Sequence, residues 1–154
     1  MTLWDFALAV WRRAGVEEIC LELQDQHGQS VALLLWGAWS AREGWGPDGE
    51  SIVRAVALAE GWENGVLQPL RQARRGLGGQ LPGLADGERA ALIERLQSAE
   101  LEIERQFARV LEAIAAPAPS QPRRPLAETL MDVAKAWRAE APEPALRTLA
   151  ARLG

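Results

Sequence analysis

The sequence predicts an all-α protein: a compact bundle of about five helices, a Pro-rich linker and a short C-terminal helical tail. Three observations carry this prediction. Apolar residues recur at helical spacing along most of the chain, no segment sustains an alternation of period two, and Gly or Pro stands where each stripe stops. The expected division is a helical core over residues 1–116, a linker over 117–125 and an amphipathic helical tail over 126–154.

In the first helix the stripe is Leu3, Phe6, Ala7, Val10, Trp11 and Ala14, and Gly15 is placed to stop it. Arg12 and Arg13 fall in its last turn, and Glu17 and Glu18 open the next helix, so each pair suits the dipole end it occupies. The second helix runs from about Val16 to His27, and Val16, Cys20, Leu23 and His27 are spaced to form one stripe.

A polar run, QDQHGQS, then separates two apolar segments and carries the single histidine. Gly28 suits the left-handed position that ends a helix, and Ser30 suits the N-cap of the following one. Gln24, Asp25, His27 and Gly28 are therefore expected to form a structural corner, with the His27 ring packed on the stripe. Asp25 and His27, two residues apart, point to different sides of a helix and make a poor catalytic dyad, whereas Gln24 and His27 can face each other.

The third helix, about Val31 to Ala41, is apolar nearly all round and should be the most buried. Gly37 inside it would let a neighbouring backbone come close, at a cost near ~1 kcal/mol in helix propensity. REGWGPDGES reads as a loop. Beyond it Ile52, Val56, Ala59, Val66, Leu70, Ala73 and Leu77 form a fourth stripe with Trp62 on its margin. Pro69 lies inside that pattern and should kink the helix near Gly65. After GLGGQLPG, Asp86 can cap a long helix with the stripe Leu92, Leu96, Ala99, Ile103, Phe107, Val110 and Ile114.

From Ala115 the composition changes. Four of the nine prolines lie between Pro117 and Pro125, which predicts an extended, flexible linker. Leu126, Leu130, Val133 and Trp137 mark one tail helix, and Leu146, Leu149 and Leu153 another. Helices this short are marginal alone and need a surface to fold against. The expectation is reversible docking, on this chain's own core at rest, and a chain ending at Ala116 is expected to stay folded.

The 154 residues carry a net charge of −4, so nothing global attracts phosphate backbones or anionic lipid. Cys20 is the one cysteine, which rules out a disulfide within the chain and suits a reducing cytoplasm. The amino-terminal stretch does not read as a secretory signal, and the apolar run from Val31 to Trp39 is far short of the roughly 20 residues a membrane helix needs. A cytoplasmic protein without membrane insertion is expected. Sixteen of the seventeen basic residues are Arg and Ala is abundant, a bias associated with GC-rich bacterial genomes.

Catalytic chemistry finds little support, and no catalytic residue is assigned. One His and one Cys cannot build a thiolate or imidazole zinc site, and no Glu-x-x-His pair suits a helical di-iron centre. Glu100 and Glu104, one turn apart, would suit a cation, whether a metal or a basic side chain. GLGGQLPG lacks the Lys-Ser/Thr ending of a phosphate loop. No cofactor or metal is expected.

Two groups remain as candidate ligand or partner contacts. Arg71, Arg74 and Arg75 end the fourth helix, where they complement its dipole and can pair with Glu100 and Glu104; three arginines on an acidic protein make a small nucleic-acid footprint. Six of the seven tryptophans lie in the first 62 residues. Trp4, Trp11 and Trp36 are expected in the core, while Trp39, Trp45 and Trp62 lie near a loop and can edge a pocket or partner surface.

The ordered series WDFAL, LQD, VALLLWGAW, PLRQARR and AELEIER, spanning about Trp4 to Arg109, resembles a domain-of-unknown-function family of short proteobacterial proteins. That family often has an acidic residue and an Asn where this chain has Ser30 and Ala32, a departure that weakens any polar site at the corner. The resemblance implies no activity, cofactor or catalytic residue, and a tail that varies. The function expected is a non-enzymatic module that binds a protein partner of unknown identity. A binder of small apolar or anionic ligands, or an enzyme, using Arg71 and Arg74 is the alternative, and nucleic-acid binding a weaker one.

Overall fold

The computed structural model describes residues 1–114 and 124–154, and every regular element among them is helical. The elements are α1 (Leu3–Trp11), α2 (Val16–Asp25), α3 (Val31–Arg42), α4 (Gly49–Trp62), a π-helical turn (Glu63–Leu67), α5 (Gln68–Leu77), α6 (Asp86–Glu112), α7 (Leu126–Trp137) and α8 (Glu143–Leu153). Because α4, the π turn and α5 run on without a break, these make seven rods among the described residues rather than a bundle of about five.

Helix ends follow the expected chemistry at some places and depart from it at others. Thr2, Ser30 and Asp48 cap α1, α3 and α4 by accepting from backbone N–H groups three residues on. GES at the end of the supposed loop is therefore already α4, started by Asp48. Asp86, by contrast, is the first residue of α6 rather than its cap; Ala85 holds that position, and its N–H donates to Glu88. Arg12 and Arg13 lie beyond the end of α1. The Arg13 guanidinium instead caps α8, donating to the carbonyls of Arg152 and Leu153.

The buried face of α3 is the centre of the molecule, with Leu33 to Trp36 and Ala38 to Trp39 all buried. The helices expected as a tail lie within this core: Leu130, Val133, Ala134 and Trp137 of α7 and Leu146, Leu149 and Leu153 of α8 belong to the same buried cluster. Gly37 is what lets α7 approach α3, since a Cβ there would meet Val133 Cγ2 at 3.0 Å. At the other end, the Arg152 guanidinium lies against Gly15 and donates to the Ala14 carbonyl. Arg124 and Pro125 belong to the described residues, while most of the Pro-rich segment 117–125 lies outside them.

The π turn explains a displacement along the fourth rod. Pro69 has no N–H, and its ring would strike the carbonyl four residues back, that of Gly65, in a regular helix. A widened turn takes up that conflict where a kink was expected. It also moves the stripe by one residue: Val66 and Ala73 are exposed, whereas Leu67 and Arg71 are buried.

Candidate functional site

The displaced stripe turns two charged residues inward. On a regular helix Glu63 and Arg71, eight residues apart, would lie about 80° apart around the axis; absorbing an extra residue in the π turn brings them to within roughly 20°. The Arg71 guanidinium consequently donates to Glu63 at 3.0 Å and, across to α6, to Glu104 at 3.1 Å. Glu63 accepts from the Ser30 hydroxyl at 2.7 Å on its other oxygen. With Glu63 3% and Arg71 8% exposed, this is a buried ionic cluster tying the corner, the π turn, α5 and α6 together.

One turn further, Arg74 grips Glu100 with two bonds, 2.7 and 3.3 Å long. The expected pairing of Arg71 and Arg74 with Glu100 and Glu104 is thus present as Arg71–Glu104 and Arg74–Glu100. Arg75 pairs elsewhere, with Asp25 of α2 at 3.0 Å. Glu102 faces solvent and accepts from Gln106. Among the described residues no group of three or more His, Cys, Asp or Glu side chains is placed to hold a metal ion.

Glu104 is the unusual titrating group. Withdrawal from water holds its carboxyl above the usual range; Arg71 opposes this, and the neighbouring Glu100 and Glu63 charges add to it. Cys20 is inert for a similar reason, as burial pushes its thiol up to about 12.

Above this cluster opens a groove of about 180 Å³ between α1 and α6. Trp4, Leu8 and Trp11 form one wall and Leu101 and Ala108 the other, with Arg71 and Glu104 in the lining. The tryptophans at the groove are therefore not the expected ones. Trp4 and Trp11 are half-buried on its wall, where core positions were predicted, while Trp36 is core as expected.

Trp39 is 2% exposed, packs edge-on to Trp45 with ring centroids 5.2 Å apart, and donates to the Met1 carbonyl. Trp62 stacks on Phe107 at 5.5 Å. Trp39, Trp45 and Trp62 thus line none of this groove, and of Arg71 and Arg74 only Arg71 does.

The corner is structural in its backbone and different in its side chains. Gly28 has φ +62°, as expected, and its carbonyl accepts from the Trp137 indole of α7 at 2.9 Å. His27, however, is exposed beside Glu22 at 3.8 Å instead of packing on the stripe. The helix ends at Asp25, so the period that placed His27 no longer applies. Gln24 turns to Asp25 rather than to His27.

Glu63 and Gln29 escaped the sequence reading. Glu63 could have been found, because it stands four residues after Ala59 on the fourth stripe. A carboxylate in such a place requires a buried partner.

The family model described as "Protein of unknown function (DUF2390)" matches residues 2–111. No curated protein and no solved structure matches the chain.

Proposed function

Since the chain belongs to this family of unknown function, which brings no activity with it, we propose from the geometry that it is a non-enzymatic binding module whose α1–α6 groove receives the apolar body of a small molecule. The observation that carries this reading is the groove itself. Aliphatic and indole groups line a concave opening with a few fixed polar groups beneath them, the usual composition of a ligand site. Arg71 there is already bound by two carboxylates, which favours an apolar body over an anionic group. The same pairing leaves the arginines little to offer a nucleic acid.

A protein partner is the second reading. It is favoured by Leu8 and Leu101 on the rims, 40% and 54% exposed, which also suit an apolar side chain of another chain. A cytoplasmic location goes with either reading, supported by the lone buried thiol and by the finding that no described helix is long and apolar enough to cross a membrane.

Calorimetric titration with decan-1-ol tests the first reading. Saturable binding that disappears in Ala7→Phe, with the helical circular dichroism unchanged, is the expected result. Absence of saturable binding overturns the small-molecule reading, and loss of a co-purifying protein in Ala7→Phe would then support the second.

A further inference from the structure

A second cavity, of about 210 Å³, lies on the other side of Arg71, between the α2–α3 corner, the rod containing the π turn, and Trp137. Only Gln24 and Arg71 are shared with the groove. Its lining is distinctive in carrying four glutamines, Gln24, Gln29, Gln68 and Gln72. Gln29 is 3% exposed, and neither its amide oxygen nor its amide nitrogen has a hydrogen-bond partner among the described residues. A buried primary carboxamide left in that state is costly, and both its donor and its acceptor need a complement.

The charges around the cavity narrow that complement. Both guanidinium groups are engaged, Arg71 by Glu63 and Glu104 and Arg75 by Asp25. Within the lining, an entering anion would have to compete with these carboxylates for either guanidinium; the Arg138 guanidinium lies outside the lining, over the Trp137 indole. The buried carboxylate of the lining, Glu63, has both oxygens taken, by the Ser30 hydroxyl and by Arg71, so a cation beside Gln29 at that buried end would have to displace one of them. What the lining leaves available is a set of neutral amides, each both donor and acceptor. The group that matches a carboxamide edge for edge is another carboxamide, through paired N–H···O bonds.

We infer that this cavity is a binding site for a neutral carboxamide, held by Gln29 with help from the amides beside it. The inference is independent of the groove and of its apolar ligand.

Three nearly isosteric probes separate the possibilities: benzamide, benzoate and benzamidine, each titrated into the full ¹⁵N-labelled chain while the glutamine side-chain amides are followed by NMR. Benzamide should shift the Gln29 amide saturably, and the two charged probes should not. Gln29→Met should weaken benzamide by about tenfold, the ratio expected for roughly one net hydrogen bond. Should Gln29→Met fail to fold, the solvent-exposed Gln72→Ala serves instead, with a smaller loss expected. Equal or stronger binding of benzoate or benzamidine overturns the inference. So does the absence of any saturable shift, which would mean that Gln29 is satisfied by water alone.

Discussion

The indole nitrogen of Trp137 donates to the carbonyl oxygen of Gly28 at 2.9 Å, joining residues 109 positions apart. The corner between α2 and α3 is therefore held from outside by α7, and Arg138 lies over the same indole, 4.4 Å from its centre. This contact, with the buried faces of α7 and α8, argues against the expectation that a chain ending at Ala116 stays folded. Leu130, Leu146 and Leu149 are completely buried, and each such leucine contributes on the order of 1.5–3 kcal/mol. Their sum approaches the roughly 5–15 kcal/mol by which domains are stable. A chain ending at Ala116 should lose its cooperative thermal transition; retention of the full melting temperature would show that α7 and α8 are dispensable.

At the corner itself, the backbone and not the histidine carries the stability. A Cβ at Gly28 meets only Arg138 Nε at 4.0 Å, so the penalty of Gly28→Val is that of φ +62°, about 1–2 kcal/mol. His27→Gln, at an exposed site, should change the melting temperature very little. Chemical denaturation of both variants checks the contrast, and a larger loss in His27→Gln would refute it.

Gly37 and Val133 should behave as one unit. Alanine is better than glycine in a helix by up to ~1 kcal/mol. Here its methyl would sit 3.0 Å from Val133 Cγ2 in a fully packed seam, and overpacking typically costs about 1–3 kcal/mol. Gly37→Ala should thus be destabilising alone and relieved when combined with Val133→Ala. Strict additivity of the two in urea melts would show that α7 yields freely at this point.

The ionic cluster should show graded costs. Arg71→Ala leaves Glu63 charged, buried and without its guanidinium, which should cost about 3–5 kcal/mol. Arg74 is more exposed, with 29% of its side chain accessible, so Arg74→Ala should cost less, roughly 1–3 kcal/mol. Double-mutant cycles should find coupling in Arg71–Glu104 and Arg74–Glu100 and much less in the crossed combinations. Equal coupling in all four would mean that the arginines exchange partners.

Glu104 gives the cluster a pH signature. Its folded pKa is raised, so the native state binds the proton more tightly than the unfolded chain. The resulting penalty is full above the folded pKa, is relieved as pH falls through it, and vanishes below the unfolded value. Wild type should therefore gain stability relative to Glu104→Gln on acidification from neutrality toward the ordinary carboxylate range. A relative loss over that interval would show that the bond to Arg71 outweighs burial.

Much of this architecture is legible in residue spacing, because spacing reports which face is buried. The helical class, the left-handed Gly28, the Ser30 cap, the close approach at Gly37 and the two Arg–Glu pairs all follow from local rules. The failures begin where a local rule is overridden. The π turn at Pro69 takes up an extra residue and shifts the phase, so a regular period points Val66 and Ala73 inward where the fold buries Leu67 and Arg71. Periodicity also cannot tell a wall from a core: Trp11 lies on the apolar stripe and Trp4 stands beside it among apolar residues, yet both border an open groove. Nor does a proline-rich stretch reveal whether the helices after it are accessory or, as here, packed at the centre.

Arg13 caps the carbonyl end of α8, while Arg152 reaches back to the carbonyl of Ala14. These three crossed bonds bear on the order of events during synthesis. Contacts linking the first helices to the eighth span about 140 residues, so the entropic cost of closure falls late and local helices must wait for it. On the ribosome, α2 and α3 would emerge with the faces that α8 and α7 cover left open until those helices were made. During that interval they form the segment on which a chaperone would act, and the molecule should pass to its native state in a single late step rather than helix by helix.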